Sequence, residues 1–417
     1  MKRFLIYLLI AVLAAAPALA MRHNGLNSNP LVNAGAFGGA ILAAGFMLSW
    51  GAEAAESRVS QGLMLAGLAL VTVLPEYAID IYYAFRAGQA PDSNYVHYAA
   101  ANMTGANRLL VGFAWPMVVF LHWRRTRDRA VGLLPSNAVE LFFLLLASLY
   151  AFVILFKNRI DLVDFAVLLA IFGAYIWRVS RSLRRGDAPV DDDDDDDAEP
   201  GPAAILETLK PGAQWAWTAG LTLTAGAIIL LSAEPFAEAM IASGRALGVD
   251  EFLLIQWVAP LTGESPEILL AILFVYAARP GSALIALVSD KINQWTLLVG
   301  ALPVAMSLGA GRLVSLPLSA RQHEEFFLTA AQSLFGISLL LSLRLRLGGA
   351  IALAILFGGQ LVLAFSLQNH PVAEIAALTG LGWVYLALSV ITLVIEWPKL
   401  AERIKGFRGN PGSNATG

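Results

Sequence analysis

Residues 67–84 read GLALVTVLPEYAIDIYYA and residues 257–275 read WVAPLTGESPEILLAILFV, so an apolar stretch in each half of the chain carries a proline followed by a glutamate. The two glutamates are Glu76 and Glu267. A charged side chain at membrane depth costs about 2.5 to 3.5 kcal/mol on insertion scales and usually marks an ion path or a substrate site. Two such carboxylates at matching places therefore predict a buried cation site.

The composition sets the class of protein. Apolar residues make up 58% of the chain and charged residues only 14%. The apolar residues form runs of roughly 20, which is the length that crosses the hydrocarbon core of a bilayer. The chain is therefore expected to be a polytopic helical protein surrounded by lipid. It contains no cysteine, which excludes disulfides, thiolate metal sites and a cysteine nucleophile.

The apolar segments number twelve, or eleven if the first one is removed. Residues 1–20 begin Met-Lys-Arg and end Ala-Leu-Ala, so they fit either a membrane helix or a secretory signal peptide. We expect a first membrane repeat over residues 35–186, an acidic cytoplasmic linker over 187–210 and a second repeat over 211–367. An additional transmembrane helix over 376–398 and a basic cytoplasmic tail over 399–417 complete the chain.

The linker contains seven consecutive aspartates, Asp191 to Asp197, and such a charge run cannot bury a core. We interpret it as a solvated spacer rather than a calcium sensor. The loops that face one side of the predicted membrane hold most of the arginines, which by the positive-inside rule makes that side cytoplasmic. With its short loops, the pattern indicates a protein of the cell (cytoplasmic) membrane.

The two halves share an order of elements. In each, a glycine-rich helix precedes the proline-glutamate helix, and the next helix contains Leu-Leu-Val-Gly, at residues 109–112 and 297–300. Aligning these runs places Asn102 opposite Asp290. Because each half holds five helices, the second half enters the membrane from the opposite side. The expected fold is all-α, with two inverted five-helix repeats and one extra hydrophobic segment at each end, and such repeats place a substrate site at the midplane.

The prolines suggest how backbone ligands could arise. Proline lacks an amide hydrogen, so Pro75 should free the carbonyl near Val71 and Pro266 the carbonyl near Thr262. Irregular backbone at this depth is tolerated only where protein or a water-filled cavity satisfies it. We therefore expect both helices to be broken at the site.

The candidate cation ligands are Glu76, Asn102, Glu267 and Asp290. Carboxylate, amide and carbonyl oxygens without sulfur or imidazole suit calcium, which takes about six to eight oxygen ligands. The expected cations, Ca²⁺ with Na⁺ or H⁺, are cargo, and no resident cofactor is expected.

On these residues the sequence resembles the calcium/cation antiporter superfamily, the group that contains the sodium/calcium exchangers. The resemblance spans residues 35–367 and rests on four fragments: Leu74-Pro75-Glu76, Asn102-x-x-Gly105-x-Asn107, Ser265-Pro266-Glu267, and Asp290 in SDKINQWTLLVG. It implies the inverted five-helix repeats and a central cation site at Glu76, Asn102, Glu267 and Asp290. It also implies that Thr72 helps to form a flanking sodium site.

Departures from the family pattern bear on the coupling ion. The family's Gly-Thr-Ser is Val71-Thr72-Val73 in the first repeat and Thr262-Gly263-Glu264 in the second. Glu264 lies three residues before Glu267, so both can share a helix face. Close carboxylates disfavour joint ionisation, which favours proton or sodium coupling over strict three-sodium exchange. Asp80, one helical turn after Glu76, either extends the ion path or bonds within the protein.

Two intramembrane cations, Lys291 and Arg108, admit two interpretations: each forms a salt bridge with a neighbouring carboxylate, or each is a tethered cation that replaces a transported ion. Glu324 and Glu325 fall near an expected helix start, so we expect interfacial solvation for both.

The sequence thus predicts a secondary antiporter that exchanges calcium for sodium or protons by alternating access. A sodium/proton antiporter on the same fold, or a cation channel, is the alternative. Enzyme chemistry is not indicated, because the chain has no paired serine and histidine, no His-Glu-x-x-His and no phosphate loop. No nucleic-acid partner is expected.

Overall fold

The computed structural model describes residues 1–55, 74–184 and 202–409. Within these ranges the chain forms twelve helices. They are α1 Lys2–Asn24, α2 Pro30–Ala55, α3 Leu74–Gln89, α4 Tyr95–Thr126, α5 Ala138–Lys157, α6 Leu162–Arg184, α7 Pro211–Leu247, α8 Glu251–Tyr276, α9 Pro280–Ala310, α10 Ala320–Leu340, α11 Leu347–Leu367 and α12 Pro371–Gly409. Thr72, the carbonyl near Val71 and the run Asp191 to Asp197 lie outside the described residues.

Ten of these helices are long and apolar enough to cross a membrane. The other two are α3, of which 16 residues are described, and α10, which carries Arg321, Glu324 and Glu325 in its first turns. Helices α3 and α10 are less apolar because both carry buried acidic side chains. The expected all-α polytopic fold is confirmed.

Two short β-ribbons display the inverted relation of the repeats. Strand β1 (Ala130–Gly132), between α4 and α5, pairs antiparallel with β4 (Arg344–Arg346), between α10 and α11. Strand β2 (Arg159–Ile160), between α5 and α6, pairs antiparallel with β3 (Leu316–Pro317), between α9 and α10. Exchanging α2–α6 with α7–α11 converts one ribbon into the other. The two ribbons lie at opposite ends of α5 and of α10, so the exchange also turns the bundle over.

We call the end of the bundle that carries the β1–β4 ribbon the arginine-rich face. Its loops contain Arg127, Arg129, Arg279, Arg344 and Arg346. Arg125, near the end of α4, donates to the carbonyl oxygen of Val275 at 2.7 Å, which ties α4 to the end of α8 there. By the positive-inside rule this face is expected to be cytoplasmic.

The centre of the bundle is formed by α3, α4, α8 and α9, which approach one another closely at glycines. A Cβ atom built on Gly105 of α4 would lie 1.8 Å from the carbonyl oxygen of Gln256 on α8. A Cβ atom on Gly88 of α3 would lie 2.0 Å from the carbonyl oxygen of Met306 on α9. Small residues allow this backbone approach in membrane bundles. The proline-glutamate helix of each repeat is thus packed against the third helix of the other.

We expect Gly105→Ala to destabilise the protein by about 1–3 kcal/mol, because its methyl group overlaps backbone that cannot move without separating α4 from α8. Thermal unfolding in detergent checks this. The matched control is Gly220→Ala on α7, where the added Cβ meets nothing within 4 Å. Equal melting temperatures for the two variants would contradict the close packing.

The expectation of a broken helix at Pro266 is wrong. Helix α8 continues from Glu251 to Tyr276 through both Pro260 and Pro266. A proline removes one backbone bond, and neighbouring helices in a membrane bundle can satisfy the freed carbonyl without a break. Departures from α-helical geometry occur instead in the third helix of each repeat. They are π-helical turns at Leu110–Ala114 and Gln294–Leu298. Such turns often occur at functional sites.

The two extra helices pack on the outside of the repeats. The ring of Phe4 on α1 contacts Trp50 of α2 and Trp217 of α7 edge-on, with centroids 6.0 and 5.7 Å apart. Helix α12 packs against α10, where its buried Glu374 accepts from Arg321. Cleavage after residue 20 remains an open prediction.

Candidate functional site

One side-chain amide joins the proline-glutamate helices of the two repeats. Gln294, the first residue of the π-helical turn in α9, donates from Nε2 to Oε1 of Glu264 at 2.6 Å and to Oε2 of Glu76 at 3.3 Å. All three side chains are buried. Two carboxylates, one from α3 and one from α8, therefore share a single donor at the centre of the bundle.

Gln294 was missing from the candidates taken from the sequence. It lies four residues after Asp290, and that spacing places both side chains on one face of α9. The periodicity could therefore have identified it. Beside it, the Asn293 side-chain oxygen accepts from the Tyr77 hydroxyl of α3 at 2.9 Å.

Glu267 and Asp290 lie on the side of this amide that is nearer to the arginine-rich face. Glu267 faces both Glu264 and Asp290, and one of its carboxylate oxygens, Oε2, has no hydrogen-bond partner in the described part of the chain. Both Glu267 and Asp290 are half-buried, whereas Glu76 and Glu264 are buried. Glu267 and Asp290 are therefore less enclosed by protein than Glu76 and Glu264.

Asn102 and Asp80 lie on the other side of the amide. Asn102 donates from Nδ2 to Oδ1 of Asp80 at 2.9 Å, and both side chains are buried. Asp80 was expected either to extend the ion path or to bond within the protein, and in the structure it accepts this hydrogen bond from Asn102. The Oδ1 atom of Asn102 has no partner among the described residues.

The structure thus gathers Glu76, Asp80, Glu264, Glu267 and Asp290 into one acidic cluster. In the described part of the chain, no three acidic or histidine side chains are arranged to hold a metal ion. Their assignment as cation ligands remains a prediction.

Lys291 is fully buried next to this cluster. Its Nζ donates to the backbone carbonyl oxygen of Asn107 at 2.9 Å and to the side-chain oxygen of Asn107 at 3.1 Å. No ion pair among the described residues includes it, so the salt-bridge interpretation does not describe its contacts. The Lys291 amine is thus buried within the field of Glu264, bonded to Asn107 and to no carboxylate of the described residues.

Arg108, by contrast, is paired. Its guanidinium forms a buried salt bridge with Glu325 of α10 and lies over the ring of Trp257, 4.8 Å from the centroid. Gln256 of α8 donates to the same carboxylate at 2.6 Å. The pair therefore holds α4, α8 and α10 together beside the cation cluster.

The expectation that Glu324 and Glu325 are solvated at a helix end is wrong, since their exposed fractions are 3% and 1%. Helix α10 begins at Ala320, where Ser319 and Gln322 form a capping box. Both glutamates therefore lie inside the helix. The Ser-x-x-Gln spacing that produces this cap is present in the sequence.

We expect Arg108→Gln to destabilise the protein by about 3–5 kcal/mol, because it leaves the Glu325 carboxylate buried without its counter-charge. Adding Glu325→Gln should recover most of that loss. Thermal unfolding of the two single variants and the double variant forms the test. Additive losses in the double variant would show that the pair does not act as a unit.

Comparison with known proteins settles the family. The profile described as "Sodium/calcium exchanger protein" matches residues 29–181 and 217–366, which is well over half of the chain. The chain belongs to the sodium/calcium exchanger family. The two matched stretches fall on either side of the acidic linker.

Solved structures agree with this assignment. The crystal structure of the H⁺/Ca²⁺ exchanger CAX is 38% identical, with a TM-score of 0.86, over 97% of this chain and 98% of that one. The structure of native YfkE is 15% identical, with a TM-score of 0.57, over 84% of this chain and 98% of that one, and it supports the fold alone. A comparison with curated protein sequences gives no match.

This member of the sodium/calcium exchanger family is a multi-pass integral membrane protein and a secondary cation antiporter. Its family is one of transporters rather than enzymes.

Proposed function

We propose that this antiporter exchanges calcium for protons, with Glu76, Asn102, Glu267 and Asp290 as the calcium ligands and Glu264 as part of the proton site. The observation that carries the proposal is the contact of Glu264 and Glu76 with one Gln294 amide. Two carboxylates that share one donor in a buried site repel each other when both are ionised, so a proton or a cation must neutralise part of their charge. The 38% identity to the H⁺/Ca²⁺ exchanger CAX supports the same coupling ion.

In the proposed mechanism, calcium and protons compete for the same oxygens. Calcium entering from the arginine-rich face first meets the half-buried Glu267 and Asp290. Binding it between Glu267 and Glu76 requires the buried carboxylates to release their protons. Proton binding on the other side of the membrane reverses these steps.

Occupancy also controls closure of the path over the site. Ionised carboxylates without a cation resist being sealed away from water, because an uncompensated charge at membrane depth is costly. A site that holds either calcium or protons is close to neutral and can close. This condition supports exchange and disfavours leak.

In this proposal Lys291 is a tethered cation beside the acidic cluster. Its ammonium is held by Asn107 and stands within the field of Glu264. In its charged form, Lys291 compensates one negative charge of the cluster, which reduces the number of mobile cations that the site must hold. The flanking sodium site at Thr72 remains a proposal for a residue outside the described ranges.

Calcium flux in proteoliposomes under separate gradients tests the proposed function. A pH gradient alone should drive calcium uptake, and a sodium gradient alone should not. Uptake driven by sodium alone would identify a sodium/calcium exchanger. Proton flux driven by sodium without calcium would favour the sodium/proton alternative, and calcium flux that persists without any counter-ion gradient would favour a channel.

Cysteine labelling in intact cells tests the proposed membrane and orientation. The arginine-rich face is expected to be cytoplasmic, and the chain is expected in the cell membrane. Cysteine introduced at Arg346, in an otherwise cysteine-free chain, should resist a membrane-impermeant thiol reagent in intact cells. Cysteine at Leu313, which is exposed on the opposite face, should react.

A further inference from the structure

Glu324 on α10 is a buried carboxylate inside the bundle. Its exposed fraction is 3%, and neither carboxylate oxygen has a partner in the described part of the chain. An ionised carboxylate removed from water without a partner is strongly destabilised and normally takes up a proton instead. The same helix carries Glu325, whose Oε2 atom accepts from both Arg108 and Gln256. Glu325 thus has a counter-charge, whereas neither oxygen of Glu324 has a partner among the described residues.

The charged groups that face Glu324 leave it no cation of its own. They are Glu325 and Arg321 on α10, Arg108 on α4 and Glu374 on α12. Arg108 is paired with Glu325. Arg321 bridges Asp250 at 2.6 Å and Glu374 at 2.9 Å. Both arginines are therefore paired with other carboxylates, and the four carboxylates named here outnumber the two arginines.

Glu324 lies between partly exposed Arg321 and buried Arg108. Arg321, three residues earlier on the same helix, keeps 22% of its side chain exposed at the face opposite to the arginine-rich face. Arg108 lies deeper, and its neighbour Asn107 holds Lys291 beside the cation cluster. Glu324 thus stands between an exposed ion-pair cluster and the buried pair that adjoins the cation site.

We propose that Glu324 is a proton-binding site separate from the cation site, loaded from the face opposite to the arginine-rich face. The carboxylate takes one proton from water at that face and becomes a neutral acid, the form that suits its buried position. When the proton leaves, the new carboxylate competes with Glu325 for Arg108. That competition loosens the link through Gln256 to α8, the helix that carries Glu264 and Glu267.

The site gives the protein a second dependence on pH, in addition to competition at the cation cluster. It does not require that protons be the transported counter-ion, so it can be tested apart from the proposed calcium–proton exchange.

The test compares full-length Glu324→Gln with wild type and with Glu234→Gln, a matched change at an exposed glutamate of α7. Infrared difference spectra across a pH titration in lipid should show a carboxylic-acid carbonyl band that disappears in Glu324→Gln and persists in the control. The pH profile of calcium-for-calcium exchange should shift by about one unit or more in Glu324→Gln only. Glu324→Asp, which keeps a titratable group, should retain a pH-dependent profile.

Each outcome decides the proposal. Spectra and pH profiles that superimpose on wild type would overturn it, even if a pH gradient still drives calcium uptake and the proposed function stands. Failure of Glu324→Gln to fold would also overturn it, because glutamine copies the neutral acid that the proposal places there. Loss of the carbonyl band would support the proton site even if sodium were found to be the coupling ion.

Discussion

Glu267→Gln is expected to reduce calcium transport by about 100-fold or more, which corresponds to about 2.8 kcal/mol of lost stabilisation of the bound ion. Glutamine keeps the size and one oxygen of the side chain but removes its charge. Calcium in a buried site depends on that charge, because the surrounding protein screens it much less than water does. The half-buried position of Glu267 should let the variant fold normally.

Calcium flux in proteoliposomes and calcium binding in detergent measure the effect together. Glu234→Gln, on the exposed surface of α7, is the matched control and should transport as wild type does. Transport by Glu267→Gln within threefold of wild type would remove Glu267 from the ligand set. Loss of transport with intact calcium binding would instead place Glu267 in the closure step.

Glu264→Gln should lower calcium flux driven by a pH gradient by about tenfold while leaving calcium-for-calcium exchange within about threefold of wild type. The reason lies in the contact that Glu264 and Glu76 share with Gln294. Glutamine at position 264 leaves Glu76 as the single carboxylate at that amide, so the site takes up fewer protons when calcium leaves. Coupling to protons weakens, whereas the remaining calcium ligands persist.

The pH dependence of transport is the decisive readout for Glu264. Its profile in the variant should be flatter than in wild type. Glu238→Gln offers a control on α7, since Glu238 accepts from Tyr82 at 2.7 Å in a separate part of the bundle. A Glu264→Gln profile identical to wild type would show that Glu264 is not part of the proton site.

The architecture follows from the sequence because hydropathy and repetition are properties of whole segments. Runs of about 20 apolar residues must cross a bilayer as helices, and an odd number of helices in each half forces the inversion. Glu76 and Glu267 can be recognised from sequence for a similar reason. A carboxylate inside an apolar run is energetically costly and usually marks a functional site. These inferences need no side-chain geometry.

The side-chain contacts of the site could not be predicted from the sequence. Helical spacing places Asn102 on a face, but the choice of Asp80 as its partner depends on how α3 and α4 are rotated against each other. The same holds for Lys291, which bonds an asparagine rather than a carboxylate. The expected interfacial position of Glu324 is wrong because the capping box at Ser319 starts α10 at Ala320, which places Glu324 inside the helix. The expected break at Pro266 is absent because tertiary packing overrides the tendency of proline to end a helix.

The measurement that tests the account most directly is the number of protons released when calcium binds to the purified protein. Titration calorimetry in buffers of different ionisation enthalpy gives this number without any transport assay. The account predicts release of about one to two protons per calcium in wild type and a smaller number in Glu264→Gln. Calcium binding that releases no protons in either protein would contradict the claim that calcium and protons compete for the same buried carboxylates.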